Sequence, residues 1–183
     1  MQEVLNWTID TIRQQETIDS TWLEEKKFEW APLVVKTLKS IIEKQYTLLI
    51  VTDDDRSWFG DYILNELNHK KNGRPNIPVF DFKGIYHHYD KVKSEEDIQL
   101  IDDMLDISFP NGYVFWYIGK GNSHYSVIPK YHQNSFLWLI DEDLSGSLSL
   151  KAADQNLDLK LLQIFKLFNK TLDAALFAEI TLD

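Results

Sequence analysis

The sequence predicts an α/β fold: a three-layer α/β/α sandwich of about five parallel strands, preceded by an N-terminal helical pair. Three observations predict it. Short continuous apolar runs, rich in strand formers and too brief for helices, alternate with stretches whose apolar residues recur at helical spacing. A continuous run reads as a strand buried on both faces, and right-handed crossovers then favour a doubly wound sheet. At 183 residues, 44% apolar and 13% aromatic, the chain can also bury a sizeable core. No linker, repeat or tail of like charge divides it, so one domain is expected over 1–183.

The elements follow in order. Residues 2–17 read as an amphipathic helix with Leu5, Ile9 and Ile12 on one stripe. A second helix starts near Asp19-Ser20-Thr21, where Thr21-Trp22-Leu23-Glu24 has capping-box form. It continues past Pro32, a residue suited to restarting a helix in its first turn, and buries Val34, Leu38, Ile41 and Ile42. These helices occupy 1–45. A strand–helix core over 46–151 comes next, with strands at 46–51, 77–82, 113–118, 135–140 and 147–150. Helices are expected at 56–68 and 94–107, with a short one somewhere in 123–132. A long closing helix over 155–178 fills the last part, 152–180.

Composition removes several function classes. Nineteen Lys and Arg against 29 Asp and Glu leave a formal charge of −10. That weighs against gripping a nucleic-acid backbone, which needs clustered positive charge, and against an anionic membrane surface. The absence of Cys excludes disulfides, thiolate metal sites and a Cys nucleophile. The first residues, Met1-Gln2-Glu3-Val4-Leu5-Asn6-Trp7, show no secretory signal, and no apolar run reaches the ~18 residues of a membrane span. A cytoplasmic protein is expected.

The loop after the first strand is where such folds bind ligands. Here it reads Thr52-Asp53-Asp54-Asp55-Arg56-Ser57-Trp58. Three carboxylates repel a phosphate, so a nucleotide or sugar-phosphate is disfavoured without a metal. Asp53, Asp55 and Ser57 do have the Asp-x-Asp-x-Ser/Thr spacing of haloacid-dehalogenase-type phosphatases, in which Mg²⁺ offsets the charge. A Mg²⁺-dependent phosphatase or sugar-phosphate enzyme is therefore the alternative function, with only Asp141-Glu142-Asp143 as its second acidic group. The simpler reading has Asp54 and Asp55 capping the next helix and complementing its dipole. His87-His88 reads as a solvated loop. Ser123, His124 and His132 lack a nucleophile-elbow signature. The Gly119-Lys120-Gly121 loop is the most phosphate-friendly segment, but it reads best as a strand-to-helix turn. No catalytic residue, resident metal or cofactor is assigned.

The closing helix says more. At ~100° per residue, Leu157, Leu161, Ile164, Phe165, Phe168, Leu172 and Ala175 share one stripe. Leu159, Leu162 and Leu167 fall off that stripe, and Phe177 lies roughly opposite it. A helix apolar on more than one face points to subunit or partner contact. Trp7, Trp22 and Trp30, all early in the chain, point the same way. Leu159, Leu162, Leu167 and Trp22 are the candidate oligomer interface.

Several blocks also resemble a known family. They are Ser135-Phe136-Leu137-Trp138-Leu139, Leu161-Leu162-Gln163-Ile164-Phe165-Lys166-Leu167-Phe168, and the close Ile180-Thr181-Leu182. Trp58-Phe59, Tyr62-Ile63-Leu64-Asn65-Glu66-Leu67-Asn68 and Gly73-Arg74-Pro75 add to them. Together, end to end, they resemble the HobA family, the DnaA-associating replication initiation factors of epsilonproteobacteria. The resemblance implies a sugar-isomerase-like (SIS) fold with strand order 2-1-3-4-5, assembled as a homotetramer. It further implies a non-enzymatic scaffold that binds DnaA domains I–II and promotes DnaA assembly at the origin, as the functional counterpart of DiaA. DiaA-like proteins carry a Leu-Phe pair near the C-terminus that contacts DnaA. Leu176-Phe177 stands in a similar place, with Leu172 and Asp173 beside it.

Overall fold

The computed structural model describes residues 1–14 and 21–183. Helix α1 covers Gln2–Arg13, and α2 runs unbroken from Thr21 to Ile42 with Pro32 inside it. Pro32 therefore sits within one helix instead of opening a new one; its missing amide takes away the donor to the Phe28 carbonyl. Residues 15–17 of the expected first helix, and Asp19-Ser20 before the second, lie outside the described residues. Glu24, expected to close a capping box, pairs with Arg13 on α1.

Five strands follow: β1 Thr47–Thr52, β2 Val79–Asp81, β3 Tyr113–Lys120, β4 Ser135–Ile140 and β5 Ser147–Leu150. Between them lie α3 Ser57–Leu67, α4 Phe82–Ile85, α5 Glu95–Ser108 and α6 Val127–Tyr131, and α7 Leu157–Leu176 closes the chain. All strand pairs are parallel, in the order β2-β1-β3-β4-β5. The chain crosses from β1 to β2 on one side and to β3 on the other. The switch point therefore falls between the carboxyl ends of β1 and β3.

Most boundaries match the sequence pattern, and the exceptions have local causes. The second strand is shorter than expected because Asp81 accepts the amides of Lys83 and Gly84, which turns Phe82 into the unanticipated helix α4. Helix α5 opens with the Ser94–Asp97 capping box. On α1 the buried side is Val4, Thr8, Thr11 and Ile12, about one position round from the expected stripe.

Strand alternation divides the interior into two cores. Leu48, Ile50, Trp116, Ile118, Phe136, Trp138 and Ile140 face α1, α2, α3 and α7, while Leu49, Val51, Phe115, Tyr117, Leu137 and Leu139 face α4, α5 and α6. The first core is strongly aromatic. Trp116 packs on Phe168 and Trp138, and Trp138 meets Trp30 of α2. Each such side chain contributes roughly 1.5–3 kcal/mol or more through burial. Gly60 brings α3 close to β1, since a Cβ there would lie 3.1 Å from Thr52 Cγ2.

Candidate functional site

At the switch point, Asp53 leaves β1 buried, 5% exposed, beside the equally buried Arg56. Its carboxylate accepts the Arg56 amide at 3.1 Å, the Arg56 guanidinium at 3.3 Å and the Lys120 amide at 2.6 Å. Asp53 therefore caps the 3₁₀ turn Asp54–Arg56, whereas α3, which the sequence suggested Asp54 and Asp55 would cap, has Arg56 at its N-cap position and no side-chain cap. Asp54 pairs with Lys83, and Asp55 bridges Arg56 at 2.9 Å and Lys120 at 3.0 Å. Lys120, with help from Arg56, holds the Asp55 carboxyl below its usual range.

That geometry answers the phosphatase spacing. Asp53 and Asp55 converge on a guanidinium, where metal catalysis would need them to converge on an ion. The distal acids are engaged elsewhere: Glu142 with Lys130, and Asp141 with the Ala152 amide. Among the described residues no cluster of three His, Asp or Glu side chains is arranged to hold a metal. The open space nearby, about 330 Å³, is lined by Asp55, Arg56, Trp58, Asp154 and Asp158.

A smaller hollow of about 280 Å³ brings His87 and His124 together with Lys83, Tyr86, Tyr89 and Tyr125. Sequence spacing gave no hint of that meeting. Lys83 Nζ lies 3.7 Å from the centre of the Tyr125 ring. Burial raises the Tyr89 phenol well above its ordinary pKa.

The apolar candidates separate by exposure. Phe177 is 56% exposed just past the end of α7, and Leu176 is half-buried. The chain then reverses: Ala178 takes φ +56°, and the amides of Glu179 and Ala178 close on the carbonyls of Ala174 and Ala175. This Schellman turn leaves Phe177 outside while Ile180 and Leu182 return to the core. Leu172 is fully buried, so it fills the core and cannot touch a partner. Asp173 is held by Arg74, whose guanidinium also binds Asn169 and the Leu67 carbonyl.

Of the interface candidates, Leu159 is exposed, while Leu162 and Trp22 are half-buried. Trp22 donates to Gln163 and carries Lys160 over its ring. Leu167 is a core residue, only 1% exposed. The cause is that α1 and α2 cover a second flank of α7 within the same chain, so part of its extra apolar surface is internal.

Among the exposed aromatics that the sequence reading did not single out, one stands on α2. Phe28, 69% exposed on α2, stands at a groove of about 410 Å³ with Pro32, Leu33 and Leu144, rimmed by Glu29, Lys36 and Asp143. Its signal was available: a lone aromatic in the charged run Glu24-Glu25-Lys26-Lys27-Phe28-Glu29.

The fold agrees with the comparisons. The family model "HobA: DNA replication regulator" matches residues 1–182. The chain belongs to the HobA family. The DNA replication regulator protein HobA of Helicobacter pylori is 33% identical over 187 residues, covering all of both chains. A crystal structure of a HobA–DnaA (domain I–II) complex from the same organism aligns with a TM-score of 0.75 and 32% identity, over 96% of this chain and 97% of that one. A structure of H. pylori HobA gives the same TM-score and identity over 98% and 94%. The resemblance to HobA holds, and the expected strand order 2-1-3-4-5 is the order found.

Proposed function

We propose that this chain is a non-enzymatic regulator of replication initiation that binds DnaA domains I–II and gathers several DnaA molecules on one oligomeric scaffold. The observation that carries this reading is the similarity, over nearly the whole chain, to a HobA captured with DnaA domain I–II. The site geometry supports it, because the carboxylates of the switch-point crevice are matched by Arg56, Lys83 and Lys120. The scaffold is a single SIS-like domain that assembles as a cytoplasmic homotetramer, with Leu159, Leu162 and Trp22 in its subunit contacts. It needs no cofactor and touches neither nucleic acid nor membrane directly. Repeated sites on a symmetric body raise the effective concentration of bound DnaA without any chemistry.

Two exposed aromatics are the proposed DnaA anchors: Phe177, with Leu176 and Asp173 beside it, and Phe28 in the α2 groove. The test is calorimetric titration with DnaA domains I–II, alongside light scattering of the free protein. Phe177→Ala or Phe28→Ala should weaken binding at least tenfold with no change in oligomer mass. Unchanged affinity in both variants would remove these surfaces. No binding by the unaltered protein would remove the function.

A further inference from the structure

The donors at the switch point form a site for an oxyanion, and the chain fills that site itself. Two backbone amides from different segments, Arg56 after β1 and Lys120 at the end of β3, converge on the Asp53 carboxylate together with the Arg56 guanidinium. Gly119 makes room for it: a Cβ there would lie 2.9 Å from Asp53 Cγ and Oδ2. Bare backbone closely approaching an anion at the crevice between β1 and β3 is how doubly wound sheets receive charged ligands. Here the anion is covalently part of the fold and buried.

We propose that Asp53 is an intramolecular oxyanion that permanently occupies the anion-binding crevice of this fold. The loops after β1 and β3 are thereby clamped with no soluble ligand, and small anions are kept out. Charge balance supports the assignment. Arg56 and Lys120 face Asp53 and Asp55, while Lys83 and Asp54 form a separate pair. Removing the Asp53 carboxylate would leave two cations against one carboxylate, with the Lys120 amide unmet and the Arg56 amide left with only the Asp53 backbone carbonyl at 3.2 Å. That combination recruits a carboxylate-sized anion from solution.

Formate, which matches the deleted group, is the probe. Thermal unfolding of the full-length protein is followed in sodium formate and in sodium chloride at equal ionic strength. Asp53→Ala should melt on the order of 10 °C below the unaltered protein in chloride. It should regain about 5 °C in formate. The unaltered protein should show no formate-specific shift. Neither should Asp53→Asn, which keeps the side-chain volume and an oxygen acceptor. Should Asp53→Ala fail to fold in chloride, its refolding yield from urea is compared in the two salts, with greater recovery in formate expected. Equal melting or equal recovery of Asp53→Ala in formate and chloride would overturn the proposal, as would an anion-specific shift in the unaltered protein.

Discussion

Arg74 offers the sharpest test of how the C-terminal half is held together. Its side chain is 1% exposed and donates to Asp173, to the Asn169 side chain and carbonyl, and to the Leu67 carbonyl. One guanidinium thus ties the end of α3 and the loop after it to the last turns of α7, next to the turn that presents Phe177. Arg74→Ala strips all four acceptors at once. Breaking a buried pair by deleting one partner costs about 3–5 kcal/mol. Asp173 is 35% exposed and rehydrates in part, so the lower end, about 3 kcal/mol, applies. For a chain of this size that is a fall in melting temperature of roughly 6–12 °C. Arg74→Lys keeps the charge but not the fork, and should fall between the two. Circular dichroism melts at one fixed protein concentration measure the loss. Hydrogen exchange should show the extra opening concentrated in the last turns of α7. A drop below about 2 °C, or opening spread evenly over the chain, would refute the clamp.

Three further outcomes can be stated. Ala178 holds a left-handed conformation at φ +56° that glycine adopts without cost, so Ala178→Gly should raise stability by about 1 kcal/mol in a urea titration. Ser94→Ala removes the oxygen that accepts the Asp97 amide and half of the α5 capping box; a loss of about 1 kcal/mol is expected in the same assay. His132 packs on the Tyr113 and Phe115 rings and accepts the Asn134 amide. Burial, with a lesser push from Lys36, lowers its pKa against the opposing pull of Asp102 and Asp106. As pH falls below about 6.5, the unfolded chain takes up the proton before the native one does, so stability declines from there downward. Urea midpoints between pH 7 and 5 should slope less in His132→Gln than in the unaltered protein, and parallel slopes would contradict this account.

Strands β1, β3 and β4 were legible because each carries a continuous apolar run with both faces buried, and a period-independent signal of that kind survives without tertiary information. Helix α4 was not, because one side chain, Asp81, ends β2 by capping; the residues Val79-Phe80-Asp81-Phe82 read equally well as strand. On α7 the angular count found the core stripe but could not know that α1 and α2 lie against its flank. Leu167 thus looked like a subunit contact and proved internal. The acidic loop was misjudged in a similar way. Three adjacent carboxylates suggested capping of α3 by Asp54 and Asp55, whereas the side chain that caps is Asp53, on the 3₁₀ turn before α3, drawn inward by an amide of β3 that sits 67 positions away in sequence.

These charge pairs bear on how an acidic protein belongs to a family of DNA replication regulators. Eight of its 19 Lys and Arg side chains, including Arg56, Arg74, Lys120 and Lys130, make ion pairs with the chain's own carboxylates among the described residues. A duplex would have to compete with those partners, several of them partly buried, before any counterion was released from its phosphates. Large apolar groups such as Phe28 and Phe177, by contrast, stand exposed with nothing of the chain's own covering most of their surface. The free energy still available for association therefore lies in apolar contact, and the net charge of −10 adds repulsion from a nucleic-acid backbone.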